Sequence, residues 1–217
     1  MKKLLTITML LLAFTLLVAV ESDPSNVVGY VKYECVEGDN FVALPLEQGF
    51  TMTSDFGNQF PDDINAINVW SPSQQIWETS VNYSGFWFPD FPVEVGTAIF
   101  FTSTADLDFY SIGDLPETNV QYAIVEGDNT IMVPLNKPEL ENTGDVGNSI
   151  GDGLDINAIL AWNSGSQIWE TSVNYSGYWF PTSDVSIGTP LFITSYTELT
   201  WPEGPRGVSS GFKALNK

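Results

Sequence analysis

The residues that can do chemistry in this chain are aromatic and acidic. Seven Trp, eight Tyr and fourteen Phe stand among 217 residues, with 27 Asp plus Glu, 7 Lys plus Arg and no His. Trp70, Trp77, Phe86, Trp87 and Phe88 recur as Trp162, Trp169, Tyr178, Trp179 and Phe180. Aromatic faces stack on each other and on the apolar faces of sugar rings. Trp77, Phe86, Trp87, Trp169, Tyr178 and Trp179 are therefore the candidate ligand-binding residues. The competing reading is a repeated core, because Trp77, Thr79 and Val81 fall on one apolar face of an extended segment. Phe86 and Tyr178, beside glycines, read as loop residues and as the most exposed aromatics.

The acidic loops offer a second chemistry. Asp55, Asn58, Asp62 and Asp63 parallel Asp145, Asn148, Asp152 and Asp155, with Asn65 and Asn157 close by. Carboxylate and amide oxygens in close succession suit calcium, a hard cation. The spacing is not that of an EF-hand, and ordinary turn and cap chemistry is the competing reading. A third constellation is Glu78 and Glu170. Glycoside hydrolysis needs two carboxylates in different environments, whereas duplicated modules supply equal ones. The absence of His excludes Ser-His-Asp and Cys-His catalysis and any His-ligated metal. The chain is expected not to be an enzyme and to carry no cofactor, with calcium in the acidic loops as the alternative.

The net charge of −20 repels phosphate backbones and anionic lipid surfaces, so nucleic acid is not an expected partner. At the N-terminus, Met1-Lys2-Lys3 precedes an apolar run from Leu4 to Val20, then polar, turn-forming residues. That is the layout of a secretory signal peptide over residues 1–20, a retained anchor being the alternative. The expected location is outside the cell or on its surface, with no membrane contact after cleavage. An extracellular glycan, another surface protein or a second copy of the chain is then the expected partner. The single Cys35 forms no intrachain disulfide.

The elements that position these residues are duplicated. Gln75–Gly85 and Gln167–Gly177 read the same eleven letters, QIWETSVNYSG. At this offset of 92, residues 64–103 and 156–195 agree at 25 of 40 positions. Glu37-Gly38-Asp39-Asn40 matches Glu126-Gly127-Asp128-Asn129 at an offset of 89. Two modules follow, 27–116 and 117–205, with a tail over 206–217. The pattern is β throughout. Val31–Cys35 alternates apolar and polar residues, and Cys35 takes the place of Ile124, a buried hydrophobe. Glu-Gly-Asp-Asn is turn chemistry. Phe41–Pro45, Ile76–Val81 and Ala98–Phe101 read as strands, as do their twins, while Ile64–Trp70 and Ile156–Trp162 have room for a helical turn. Both modules are expected to be small β-sandwich or barrel-like units of five or six strands.

Gly38, Asn40, Pro45, Trp70, Trp77, Trp87 and Gly96, with Gly127, Asn129, Pro134, Trp162, Trp169, Trp179 and Gly188, carry a resemblance. The pattern GxNxxxxP…W…W…G resembles a tandem module of secreted bacterial proteins, and it covers nearly the whole chain past the signal. The resemblance implies a β-rich, non-catalytic module of an exported or surface protein. The expected function is structural or adhesive, with carbohydrate binding through the repeated aromatics as the alternative.

Overall fold

The structure, a computed structural model, describes residues 28–202. The expected signal peptide and the C-terminal tail lie outside the described residues. The first half contains β1 (Val28–Cys35), β2 (Gly38–Ala43), α1 (Thr53–Gly57), β3 (Ile64–Ser71), β4 (Ile76–Tyr83), β5 (Phe86–Phe88), β6 (Ala98–Ser103) and β7 (Leu107–Asp114). The second half repeats the order with β8 (Tyr122–Ile124), β9 (Gly127–Met132), α2 (Thr143–Ser149), β10 (Ile156–Asn163), β11 (Ile168–Tyr175), β12 (Tyr178–Phe180), β13 (Pro190–Ser195) and β14 (Leu199–Trp201). The chain is all-β in two similar halves, as its pattern predicts.

Each half is an antiparallel five-stranded sheet covered by a two-stranded ribbon. The sheet orders are β2-β6-β3-β4-β5 and β9-β13-β10-β11-β12, and the ribbons are β1–β7 and β8–β14. β6 and β13 are interior strands, which matches their near-continuous apolar sequence. One core lies between sheet, ribbon and helix in each half. Val42, Phe56, Ile67, Ile99, Phe101 and Phe109 build the first. Ile131, Val146, Ile159, Ile193 and Trp201 build the second. Cys35 is buried in the first core and Ile124 in the second, as their equivalence predicts.

Two expectations about the elements are corrected. Each half has seven strands, because the short β5 and β12 and the outer ribbon strands β7 and β14 add to the expected set. Ile64–Trp70 and its twin are strands with no helical turn. The pairing of β3 with β6 shifts register between Ile64 and Ala66, and that of β10 with β13 shifts between Ile156 and Ala158. A bulge of this kind adds one residue, so Ile64 and Ile67 both turn into the core three residues apart. That spacing mimics a helical period. The actual helices, α1 and α2, are short and lie in the preceding acidic segments.

Candidate functional site

The register divides each sheet into a core face and an outer face. Trp70 lies opposite Trp77, Ala66 opposite Val81, and Phe41 opposite Phe100. With Tyr83, Phe86 and Phe88 these side chains share the outer face, since alternate residues point the same way. The core face of the same strands carries Ile67, Ser80 and Trp87, all buried. Trp77, Thr79 and Val81 therefore do share a face, but it is the outer one.

At its Trp end this outer face packs on the outer face of the other half. Trp70 meets Phe192 edge-on at 5.0 Å, and Trp162 meets Phe100 the same way at 5.2 Å. Trp77 stacks on Phe192 at 5.8 Å, and Trp169 on Phe100 at 5.9 Å. The polar contacts are equally reciprocal. Trp70 Nε1 donates to the Asp128 carbonyl and Trp162 Nε1 to the Asp39 carbonyl, both at 2.9 Å. Gln75 receives the Asp128 N–H and donates to its carbonyl, and Gln167 does the same at Asp39. Tyr33 Oη donates to the Gly188 carbonyl and Tyr122 Oη to that of Gly96. Burial pushes both phenol pKa values up, so both remain donors. The halves are thus joined about a pseudo-twofold axis. Gly38 and Gly127 have positive φ, and a Cβ at either would stand 2.7 or 2.6 Å from the amide oxygen of the opposing Gln. The positive φ favours Gly, and a Cβ would push the Gln amide away from its hydrogen bonds.

This arrangement corrects the binding assignment of two tryptophans and their twins. Trp77 and Trp169 are half-buried in the contact between halves, where they hold the halves together. Trp87 and Trp179 are core residues, 5% and 6% exposed. Each lies against the helix glycine, Gly57 or Gly147, and donates its indole N–H to Asn58 or Asn148 at 3.1 Å.

The other end of each outer face remains open. In the first half, β4 turns into β5 through Ser84 and Gly85, both at positive φ, and Ser176 and Gly177 repeat this in the second half. Two successive positive φ values give the hairpin turn that matches strand twist. Asn82 Oδ1 receives the Gly85 N–H, and Asn174 Oδ1 that of Gly177, each at 2.7 Å, which closes the turn. Trp87 and Trp179 anchor the hairpins inward. Tyr83, Phe86 and Phe88 then stand outward, as do Tyr175, Tyr178 and Phe180. Phe86 is 66% exposed and Tyr178 68%. They are the expected exposed aromatics, although they begin strands and do not sit in loops. Tyr83 and Tyr175 escaped the sequence reading, and Phe88 and Phe180 stood in the repeated aromatic block without being assigned to the site. Their signal was the alternation about Trp87 and Trp179, which sends both neighbours outward once the Trp is buried.

Comparison with known proteins finds no matching family model, no matching curated protein and no matching solved structure.

The acidic residues are dispersed over separate tasks. Asp55 accepts the N–H groups of Thr51 and Met52 and the Thr51 hydroxyl at the start of α1. The Thr51 N–H chiefly holds its pKa below the ordinary carboxylate value. Asp145 caps α2 through Glu141 and Asn142. Asn58 and Asn148 accept from the core tryptophans. Asp155 receives the Asp152 N–H, and the exposed Asp62 and part-exposed Asp63 lie in the turn before β3. Among the described residues no three carboxylates or thiols gather closely enough to hold a metal ion. The proposed calcium set is not brought together, because capping and indole bonds direct its oxygens apart.

The twin glutamates also differ. Glu170 accepts from Asn163 Nδ2 and Ser183 Oγ, which hold its pKa low, Asn163 contributing most. Glu78 accepts from Gln74. Cys35 is inert by environment: burial pushes its thiol pKa up to about 12, leaving almost no thiolate at neutral pH.

Proposed function

We propose that this chain is a secreted or cell-surface protein without catalytic activity, with a structural or adhesive role played through two equivalent aromatic hairpins. The supporting observation is the pair of exposed triads, Tyr83, Phe86 and Phe88 with Tyr175, Tyr178 and Phe180, on matching hairpins. Large exposed aromatic clusters on a folded surface mark contact sites, and aromatics concentrate in the energetic centres of interfaces. The signal-like N-terminus and the resemblance to tandem exported modules support the location. The lack of His and the inert Cys35 support the absence of catalysis.

Carbohydrate binding is the second reading, favoured by open ring faces on hairpins of neutral side chains. The test uses Phe86→Ala with Tyr178→Ala, since Trp87 and Trp179 hold the cores. Beads coated with the chain are presented to the producing cells and to a glycan array. Adhesion lost in the double variant, with the far-ultraviolet spectrum unchanged, is the expected result. Each single variant should bind ~10²-fold more weakly to a surface that both hairpins reach. Unchanged adhesion, or a chain found only in the cytoplasm on fractionation, overturns the proposal. Defined glycans captured by the native chain alone select the second reading.

A further inference from the structure

The two aromatic hairpins differ at one ring, Phe86 against Tyr178, but the loops beside them have diverged further. In each half the turn before the long strand lies against the hairpin. Asn82 Nδ2 donates to the Pro61 carbonyl at 3.4 Å, and Asn174 Nδ2 to the Gly153 carbonyl at 2.9 Å. The next residue is Asp62 in the first half and Leu154 in the second, both exposed. Leu154 leans on its hairpin, with Cδ2 3.8 Å from the place that a Cβ on Gly177 would take. The same place over Gly85 is empty. Asp62 forms no hydrogen bond or ion pair with a described residue. The first hairpin therefore stands beside a free carboxylate and the second beside an aliphatic side chain.

The surrounding surface has no cation to spare. Lys32 and Lys137 are the only Lys or Arg among the described residues. Lys32 is held by Glu34 and Asp108, and Lys137 by Glu139.

We infer that the first hairpin binds arginine side chains of a basic partner protein, an inference that rests on the hairpins being contact sites. A cation over a ring face is attracted by the ring quadrupole. Guanidinium suits both neighbours here, since its plane stacks on an aromatic ring while its edge donates to a carboxylate. A lysine ammonium is more strongly hydrated and gains less at an open ring. The net charge of −20 draws a basic partner from a distance. The second hairpin keeps its rings but has Leu154 where the first has Asp62, so it is the weaker cation site. One repeated hairpin thus carries two specificities, set by the loop beside it.

The experiment titrates a labelled peptide of alternating Gly and Arg into the full chain. Fluorescence anisotropy is read at ~0.1 M salt, where exposed charges more than about 10 Å apart are screened. Peptides with Lys or citrulline in place of Arg serve as controls, citrulline being the neutral isostere. The Arg peptide should bind, the Lys peptide more weakly and the citrulline peptide not at all. Phe86→Ala should weaken binding about tenfold and Tyr178→Ala by less than about threefold. Asp62→Asn should weaken it about threefold, and Leu154→Asp should create a second site of similar strength. Glu198→Gln removes one exposed charge elsewhere. Equal weakening by Glu198→Gln and Asp62→Asn would show attraction by the overall field alone and overturn the inference. Equal losses at Phe86 and Tyr178, or citrulline peptide bound as tightly as the Arg peptide, also overturn it. Bead adhesion on the same preparations separates the inference from the reading beneath it. Adhesion lost in the double hairpin variant, with no Arg peptide bound by the native chain, ends the inference and leaves the adhesive role. Arg peptide bound through Phe86 and Asp62 without adhesion supports the inference and ends the adhesive role.

Discussion

β4 and β11 have the same sequence, Ile-Trp-Glu-Thr-Ser-Val-Asn-Tyr, but their inward polar groups meet different partners. Ser172 Oγ pairs with Thr143 Oγ1 at 2.5 Å. Ser80, its twin, is buried with its hydroxyl unpartnered, because Thr53 has turned its own hydroxyl to Asp90 at 2.7 Å. The second half has Thr182 where the first has Asp90, so that competition is absent there. Glu170 gains Asn163 and Ser183, where the first half offers Ser71 and Phe91. The apolar contacts of the two strands repeat almost unchanged. Duplication has preserved packing, while the diverged loops have rewritten the hydrogen bonds around an unchanged strand.

The largest expected effect tests what the halves share. Trp87→Ala and Trp179→Ala should each cost ~3–5 kcal/mol, since each removes a buried ring and leaves a cavity. Urea unfolding checks this. Separate cores predict that each variant shifts the transition of its own half more than that of the other, and equal shifts in both would show that the halves unfold as one unit.

Ser172→Ala and Ser80→Ala sharpen the difference. The first should cost about 1 kcal/mol, because it breaks a buried hydroxyl pair. The second should be neutral or slightly stabilising, because it removes an unpartnered buried hydroxyl. Equal losses in thermal unfolding would show that the two serines have equivalent surroundings.

Acid should act on the halves unequally. Burial pushes the Asp90 carboxyl up, but the hydroxyls of Ser54 and Thr53 and nearby backbone N–H groups outweigh it and hold the pKa below the ordinary value. A lowered folded pKa stabilises fully above the unfolded value of about 4 and loses that contribution as pH falls through the folded value. Asp90→Asn should therefore flatten the stability of the first half below about pH 4 and leave the second unaffected. Circular dichroism over an acid series reads this, and an unchanged slope would remove Asp90 from the account.

The smallest effect concerns the equivalent pair Cys35 and Ile124. Cys35→Val should change stability by about 1 kcal/mol or less, since size and polarity nearly match. The native thiol should resist alkylation until denaturant is added. Rapid labelling in buffer would show that β1 opens from the first core.

Much of this fold is legible in the residues. Repeated letters mark the halves, alternation marks β1, and apolar runs mark β6 and β13. The bulges at Ile64 and Ile156 were not legible, because an extra residue in a strand reproduces a spacing of three that a helix also uses. The candidate site was half legible. Phe86 and Tyr178 stood out beside their glycines, whereas the tasks of Trp77, Trp87 and their twins did not.

By itself the sequence determined an all-β chain of two like modules, because strand period and turn chemistry are local properties of the backbone. The tertiary structure alone decided which aromatics are free. Alternation assigns Trp77 and Trp87 to opposite faces of a sheet, yet it cannot say what covers either face. One face meets the ribbon, while the other meets the second half only as far as the two sheets overlap. That overlap depends on residues far apart in the chain, such as Gln75 with Asp128 and Asp39 with Gln167, and it half-buries Trp77 while leaving Phe86 in the open.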